Sequence, residues 1–293
     1  MAQHPTRASG TILSAAIYNS DFLTGEAAVT AATNASRVQG LVGVNTPSFT
    51  TTRFNLQADW ILFQHATGAD LPVLLAQPTA LTCNLGLSGP IANGRDQFVS
   101  FTGPTWVYLY FIWNGTTTAT TASLVPPPTG PTLPTGYTHW AFATTLLILT
   151  GVGGPMVQCF ARGSWVYFRE AQAVAFAAFT STPGSPVTVN HSGFAPPHAL
   201  AALLMAQLRV DPGSIVSAVE WQLRIGPPGA TGAYLYANVW CLPSFAAMNA
   251  VSGVMPNVGQ QYIYQPVQIS GPAGSTASLN IHQTGYAVPN GGE

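Results

Sequence analysis

Residues 105–113, with the sequence TWVYLYFIW, decide the fold class of this chain. Branched and aromatic side chains suit the pleated surface of a β-strand, and both alternating faces of this stretch are apolar. Such a strand is buried on both sides, either at the centre of a sandwich or against a sister subunit. We expect its four largest aromatic residues to be structural, in the core or at an interface: Trp106, Tyr108, Tyr110 and Trp113.

Similar strand signals recur along most of the chain. Gly- and Pro-rich turns separate short β-type runs at a spacing of about ten residues, which is typical of sandwiches and barrels. Residues 142–149 form a mainly apolar run interrupted by Thr144 and Thr145, and residues 161–163 lie in the turn of a predicted hairpin. The run 199–208 fits either a strand or a buried helix, because Ala and Leu also favour helices. The sequence therefore predicts an all-β protein with an antiparallel β-sandwich or jelly-roll-like body.

Residues 1–48 differ from the rest of the chain. Residues 14–23 have apolar groups at loosely helical spacing, and residues 40–47 suggest an extended connector. We predict a short helical or extended segment that anchors the chain to a larger assembly or a sister chain. Its predicted anchoring residues are Ile12, Ile17 and Phe22. The alternative is a terminal helix packed on its own domain.

The remaining chain divides most readily at the Pro- and Gly-containing run 180–186. This predicts a first β-rich domain over 49–180 and a second over 181–293, which together could also form one continuous body. The proline-rich residues 125–136 are extended or turning. They are either a linker between domains or a rigid crossing loop within one sheet domain, and we favour the loop.

The composition is unusually poor in charge. Of 293 residues, 47% are hydrophobic and 6% are charged, whereas an average soluble domain has about 25% charged residues. All eight basic residues are arginine, and with nine acidic residues the net charge is -1, so we predict no nucleic-acid partner. A net charge near zero favours association, so we expect an obligate oligomer. The alternative, a monomer from a genome that disfavours lysine codons, does not explain the scarcity of Asp and Glu.

The sequence predicts neither membrane insertion nor a disulfide framework. Glycine and proline interrupt the most apolar run, residues 140–157, which therefore lacks the roughly 20 continuous apolar residues that a span needs. Residues 1–10 lack the apolar region of a secretory signal. Cys83, Cys159 and Cys241 are odd in number and lack metal-ligand spacing, so we expect buried free thiols.

No motif in the sequence names a reaction. There is no GxSxG motif around any serine, and no two carboxylates that could work as a pair are close in sequence. His191 and His198 flank a Pro-Pro loop at a spacing that matches no common metal site. We therefore expect no enzyme, no metal and no cofactor. A carboxylate pair assembled between subunits is the alternative that would permit sugar cleavage.

Aromatic residues in the last third of the chain give the only hint of a ligand surface. Tyr234, Tyr236, Tyr262 and Tyr264 cluster there, near Trp240. They are candidate glycan contacts, because sugars stack on aromatic rings. Large core or interface side chains would give the same pattern, and we favour that interpretation.

Three runs occur in a fixed order: SGPIANGRD at 88–96, TWVYLY at 105–110 and PTLPTGYT at 131–138. They resemble a "SGANGLD" turn, a "STWYYLY" strand and a "PTLPSGYT" loop that recur in this order in virion proteins of tailed bacteriophages. The RGSWVY hairpin at 162–167 looks like a further element of these proteins. The chain departs from the pattern at Arg95, where the phage proteins have an apolar residue, and at Gln97-Phe98, where they usually have Thr-Gly.

The resemblance implies a structural protein on the exterior of a tailed-phage virion. Within that setting we expect a fibre-type subunit, from a head or tail fibre, that attaches to other capsid or tail proteins and to a host surface glycan. A homotrimer is expected, because such proteins tend to match local threefold symmetry. One alternative is a capsid decoration, or cement, protein that stabilises capsomer junctions. A second alternative is a tailspike that depolymerises glycans.

Overall fold

A computed structural model describes residues 37–45, 52–68, 70–152, 155–180, 185–213, 217–229, 235–271 and 274–289. Within these ranges the chain forms strands and no helix, and hence no helix that could cross a membrane. The predicted anchoring residues Ile12, Ile17 and Phe22 lie outside these ranges. The strands are β1 (Arg37–Gln39), β2 (Val42–Asn45), β3 (Arg53–His65), β4 (Val73–Asn84), β5 (Gly94–Arg95), β6 (Thr102–Trp113), β7 (Thr118–Ser123), β8 (His139–Val152), β9 (Cys159–Arg162), β10 (Trp165–Phe179), β11 (Val187–Asn190), β12 (Ala201–Asp211), β13 (Val219–Gly226), β14 (Leu235–Cys241), β15 (Ala247–Pro256), β16 (Gln261–Ser270) and β17 (Thr276–Ala287).

The strands form one large and one small sheet. The 13-stranded sheet has the order β15-β12-β17-β10-β9-β2-β3-β8-β6-β7-β5, with β1 and β4 also paired to β3. The four-stranded sheet has the order β11-β16-β13-β14. In the described part of the chain every pairing is antiparallel except that of β5 with β7. The prediction of an all-β, antiparallel sandwich-like body is confirmed.

The first hydrophobic cluster is built around β6. This strand lies between β7 and β8, and its residues 107–112 are buried on both faces. The pairing of β3 with β8 is limited to Gln64 with Trp140 and His65 with His139. Because so few residues join them there, the sheet can turn at this point, and its two parts enclose the cluster.

The second cluster lies between the small sheet and one end of the large sheet. Inward residues of β13, β14 and β16 pack there against those of β12 and β17. Trp221 is the largest fully buried side chain, and its indole Nε1 donates to Ser275 Oγ at 3.0 Å. This arrangement is a sandwich of two packed layers.

The two clusters do not divide the chain at residue 180. Ala199 and Tyr286 belong to the first cluster, whereas Val174 and Phe179 of β10 pack against the second. Strands β10 and β17 pair along the path between them, so the large sheet is continuous. Independent folding of 49–180 and 181–293 stays a prediction.

Part of the predicted N-terminal segment lies in the sheet instead of standing apart from it. Strand β1 pairs with β3, and β2 pairs with both β3 and β9. Val38 and Leu41 are buried in the first cluster. The expectation of an extended course near residue 40 is therefore right, but residues 37–45 are not a free connector.

Two alternatives left open by the sequence are resolved. The run 199–208 is mostly strand, because its side chains alternate between buried and half-buried along β12. The proline-rich loop after β7 leads into β8 of the same sheet, so it is a crossing loop and not a linker between domains. The predicted hairpin is formed by β9 and β10.

Candidate binding faces

Strand β6 serves the core of its own chain. Its four predicted structural residues belong to the first cluster or pack against it: Trp106, Tyr108, Tyr110 and Trp113. The Tyr110 hydroxyl donates to the Val125 carbonyl at 2.6 Å, and its ring meets Trp140 edge-on. Because residues 107–112 are enclosed by this chain itself, they are not available to a sister subunit.

The predicted glycan contacts do not form one surface. Tyr262 and Tyr264 are only 0% and 5% exposed, because they occupy the inward positions of β16 and lie in the second cluster. The prediction of glycan contact is wrong for these two residues, since an enclosed ring offers no face to a sugar. Tyr236 is 48% exposed on β14, and Tyr234 lies outside the described residues.

The outward side of the small sheet carries aromatic and amide side chains. On β14 the exposed Tyr236, Asn238 and Trp240 alternate with buried core residues, and Trp240 is 69% exposed. The register of β13 against β14 sets one outward side chain of β13 beside each of them. We call this surface the amide face, and it consists of Glu220, Gln222, Arg224, Tyr236, Asn238 and Trp240.

Hydrogen bonds within the amide face fix the orientation of its polar groups. Gln222 Nε2 donates to Asn238 Oδ1 at 3.0 Å, and Gln222 Oε1 accepts from Arg224 Nε. Asn249 Nδ2 donates to the backbone carbonyl of Asn238 at 2.8 Å. The two Gln222 contacts orient the side-chain amides of Gln222 and Asn238 before any ligand arrives, which reduces the ordering cost of binding.

A second exposed surface lies on the outside of strands β10, β17, β12 and β15. Phe176 is 74% exposed there, and Met248 and Val254 are also exposed. Between them lie alanines and neutral polar side chains, and the charged outward residues Arg209 and Asp211 lie towards one end of β12. We call it the uncharged face. Its outward residues include Phe176, Ala178, Leu203, Met205, Gln207, Met248, Ala250, Val254 and Asn280.

The run that resembles the phage turn is organised by a buried arginine. The Arg95 guanidinium donates to the Leu85 carbonyl at 3.1 Å, to Ser100 Oγ at 2.9 Å and to the Phe98 carbonyl at 3.2 Å. These bonds close the turn and leave the side chain of Phe98 exposed at its tip. Arg95, one of the positions where the chain departs from the resemblance, thus has a structural role.

The neighbouring Asp96 joins this turn to the proline-rich loop. Its Oδ2 accepts the backbone N–H of Thr132 at 3.1 Å, and its own N–H donates to the Ala122 carbonyl at 2.9 Å. Burial raises the pKa of the Asp96 carboxyl above its ordinary value. The three runs of the resemblance are therefore neighbours in one packed region around β6.

The buried cysteines are poor nucleophiles. Burial raises the pKa of Cys83 and of Cys159 to about 12, and all three cysteines are free and buried. A thiol with such a pKa stays protonated at neutral pH, and the thiolate is the reactive form. These residues act as small apolar groups of the core.

Two histidines meet where β3 joins β8. The rings of His65 and His139 lie 4.8 Å apart edge-on, and His65 Nε2 is 3.4 Å from Asp70 Oδ2. Burial, and after it the neighbouring His65, lowers the pKa of His139. His139 Nδ1 is 2.8 Å from Thr138 Oγ1. Among the described residues no group of His, Cys, Asp or Glu is arranged to hold a metal ion.

The chain matches no protein-family model and no curated protein sequence. Among solved structures it is similar to one described as "CBM4 structure and function", with 9% identity, a TM-score of 0.24 and coverage of 43% of this chain and 76% of the other. It is also similar to the globular domain of zebrafish complement 1qA protein, with 13% identity, a TM-score of 0.25 and coverage of 39% and 96%. A structure of infectious bursal disease virus, Gx strain, has 13% identity, a TM-score of 0.22 and coverage of 87% and 74%.

Residue type alone does not show that the amide-face residues point outward, but their alternation with buried residues along each strand does. In LYANVWC and VEWQLRIG the buried residues alternate with Tyr, Asn, Trp, Glu, Gln and Arg. This period of two assigns one set to the core and the other to the outside. In β16 the same alternation places the tyrosines inward. Tyr262 and Tyr264 are buried, and their neighbours in sequence are the outward residues.

Proposed function

We propose that this chain is a structural subunit on the exterior of a tailed-phage virion, of the fibre type, that associates with copies of itself. The observation that carries the proposal is the uncharged face. A sheet surface with an exposed Phe, Met and Val, whose charged outward residues on β12 are Arg209 and Asp211, is costly to leave in water. Contact with sister subunits removes this surface from water, and a trimer is the assembly that we propose.

The phage setting is supported by the arrangement of the resembling runs. Asp96 of the first run bonds to Thr132 of the third, and the strand of the second run lies beside β7, with which β5 also pairs. Residues far apart in sequence thus form one packed module. We infer that this packed module is the unit that recurs among related virion proteins.

The first experiment measures where the chain resides and in how many copies. Antibodies against the purified protein are applied to purified virions, and its copy number is determined by quantitative gel analysis. A fibre-type subunit is expected in a few dozen copies or fewer. Hundreds of copies would favour a capsid cement protein, and absence from washed virions would overturn the virion assignment.

The second experiment tests self-association through the uncharged face. The wild-type mass in sedimentation equilibrium is expected to correspond to three chains. Replacing Phe176 and Met248 by Glu is expected to yield folded protein of lower mass, because charged carboxylates resist burial in the interface. Phe98→Glu, on a separate exposed turn, is the matched control and should leave the mass unchanged. A double variant that keeps the wild-type mass would contradict this interface.

A further inference from the structure

We propose that the amide face binds a neutral oligosaccharide. The rings of Trp240 and Tyr236 would stack on sugar units, and Gln222 and Asn238 would exchange hydrogen bonds with hydroxyl groups. This inference rests on the proposed function, because it supplies the host contact of a fibre-type subunit.

The spacing of the two rings suits an extended ligand. Tyr236 and Trp240 are four residues apart on the same side of β14, which places their Cα atoms about 13 Å apart. Asn238 lies midway between them on that side. A linear sugar chain lying along β14 therefore meets a ring, an amide and a second ring in turn.

The side chains have the chemistry that sugars require. A sugar hydroxyl both donates and accepts, and a primary amide offers two donors and an acceptor carbonyl. The pyranose ring also presents C–H groups, and the face of an aromatic ring is the negative pole of its quadrupole. An indole that is 69% exposed beside two oriented amides offers both kinds of contact at one place.

The charges of the amide face favour a neutral ligand. Its one cation and one anion lie at opposite ends, because Arg224 pairs with Tyr236 and Glu220 pairs with Trp240 in the register of the two strands. The face therefore has no net charge with which to select an acidic sugar.

The centre of the amide face also favours a glycan over a protein partner. Protein interfaces are commonly centred on an apolar, desolvated core with a polar rim. Here the Gln222–Asn238 amide pair lies between the positions of the two aromatic rings along the strands, so the middle of the amide face is polar. Hydroxyl groups satisfy such a centre without leaving buried amides unpaired.

The test uses the full-length protein and an array of neutral gluco-, manno- and galacto-oligosaccharides with their sialylated counterparts. Wild type is expected to bind at least one neutral oligosaccharide and to show a change in tryptophan fluorescence on binding. Trp240→Ala and Gln222→Leu are each expected to weaken that binding about ten-fold or more, with unchanged circular dichroism and unchanged oligomer mass.

Trp60→Ala is the matched control, because Trp60 is a tryptophan on β3 that is 48% exposed and belongs to the first half of the chain. It should bind as wild type does. Binding that survives both Trp240→Ala and Gln222→Leu overturns the site. Binding to none of the neutral sugars, or to the sialylated ones alone, overturns the ligand class. The proposed function fails separately, if the chain is absent from virions while the glycan still binds.

Discussion

Arg95 lies at the base of the turn that carries Phe98, with its guanidinium enclosed by backbone carbonyls and the ring of Phe101 at 5.9 Å. Arginine suits this position because its planar fork donates in several directions at once. A shorter or apolar side chain would leave the carbonyls of Leu85 and Phe98 without this donor.

We therefore expect Arg95→Leu to lower the free energy of unfolding by roughly 3 kcal/mol, because buried carbonyls lose charged donors. Hydrogen exchange in residues 96–100 should accelerate. Urea unfolding and exchange mass spectrometry measure the two effects. Arg53→Leu, at an exposed position of β3, is the control and should change stability by at most about 0.5 kcal/mol. Equal stabilities of the two variants would contradict the role of Arg95.

His198 links the stability of the first cluster to pH. Its ring packs against those of Tyr108 and Phe142, its Nε2 is 3.0 Å from Thr145 Oγ1, and burial lowers its pKa from 6.5 to about 4. In the unfolded chain the imidazole takes up a proton near pH 6.5, whereas in the folded chain it does so only near pH 4. Between these values the unfolded state binds more protons, so stability falls as the pH falls.

We expect His198→Gln to flatten the fall in stability between pH 6.5 and 4, by at most about 1.4 kcal/mol per pH unit. Urea unfolding of both proteins across this range gives the difference. His191, whose pKa is also lowered, and Asp96, whose raised pKa acts in the opposite direction, contribute equally to both proteins and cancel. Superimposable pH profiles would rule out the assigned role of His198.

For single residues, the sequence predicts which apolar side chains are structural better than it predicts which atoms a polar side chain contacts. The run 105–113, apolar on both faces, correctly predicts that Tyr108 and Tyr110 are structural, because residues 107–112 are buried on both faces of the strand. It cannot predict that Arg95 is buried, because its acceptors are carbonyls supplied by a turn whose path depends on the whole loop.

Among the elements, β17 approaches β10 very closely at one glycine. Gly285 faces β10, and a Cβ atom there would lie 2.2 Å from the Val166 carbonyl oxygen. The register of β17 against β12 also shifts beside it, between Leu203 and Leu204. A glycine lets the strands come together at this irregularity, near the place where the two clusters adjoin.

Gly285→Ala is expected to destabilise the protein by about 2 kcal/mol or more, because backbone must move to admit the methyl group. Thermal or urea unfolding measures the loss. Gly193→Ala is the matched control, since a Cβ at Gly193 meets nothing within 4 Å, and its stability should stay near that of wild type. A Gly285 variant as stable as this control would show that the strands can separate at little cost.

For most elements the sequence predicts which residues form a strand, but it does not predict which strands pair with each other. The period of two in 219–226 and 235–241 separates core from surface positions. The N-terminal residues 37–45 lack a long alternating pattern, and they become strands because β3 and β9 offer unpaired edges. For the same reason the amide face escapes prediction from a single run, since it needs the register of two strands.

In the whole molecule, one continuous sheet passes from the first hydrophobic cluster to the second, and the described body begins with β1 and β2. These two strands cover edges of β3 and β9. Val38 and Leu41, on and beside them, are buried, and burial of such side chains contributes about 1.5–3 kcal/mol each. A truncation that tests the proposed anchor must therefore stop before residue 37.

Deletion of residues 1–36 is expected to leave the thermal midpoint and the strand signal in circular dichroism close to those of the full chain. Deletion of residues 1–48 is expected to give unstable or aggregating protein, because it uncovers two strand edges and removes buried apolar side chains. Uptake is measured by adding each protein to purified virions that lack the chain. If residues 1–36 contain the anchor, the shorter deletion is folded but does not bind to these virions. Uptake of the shorter deletion equal to that of the full chain would assign particle attachment to the β-sheet body. Unfolding of the shorter deletion would show that residues before β1 support the fold.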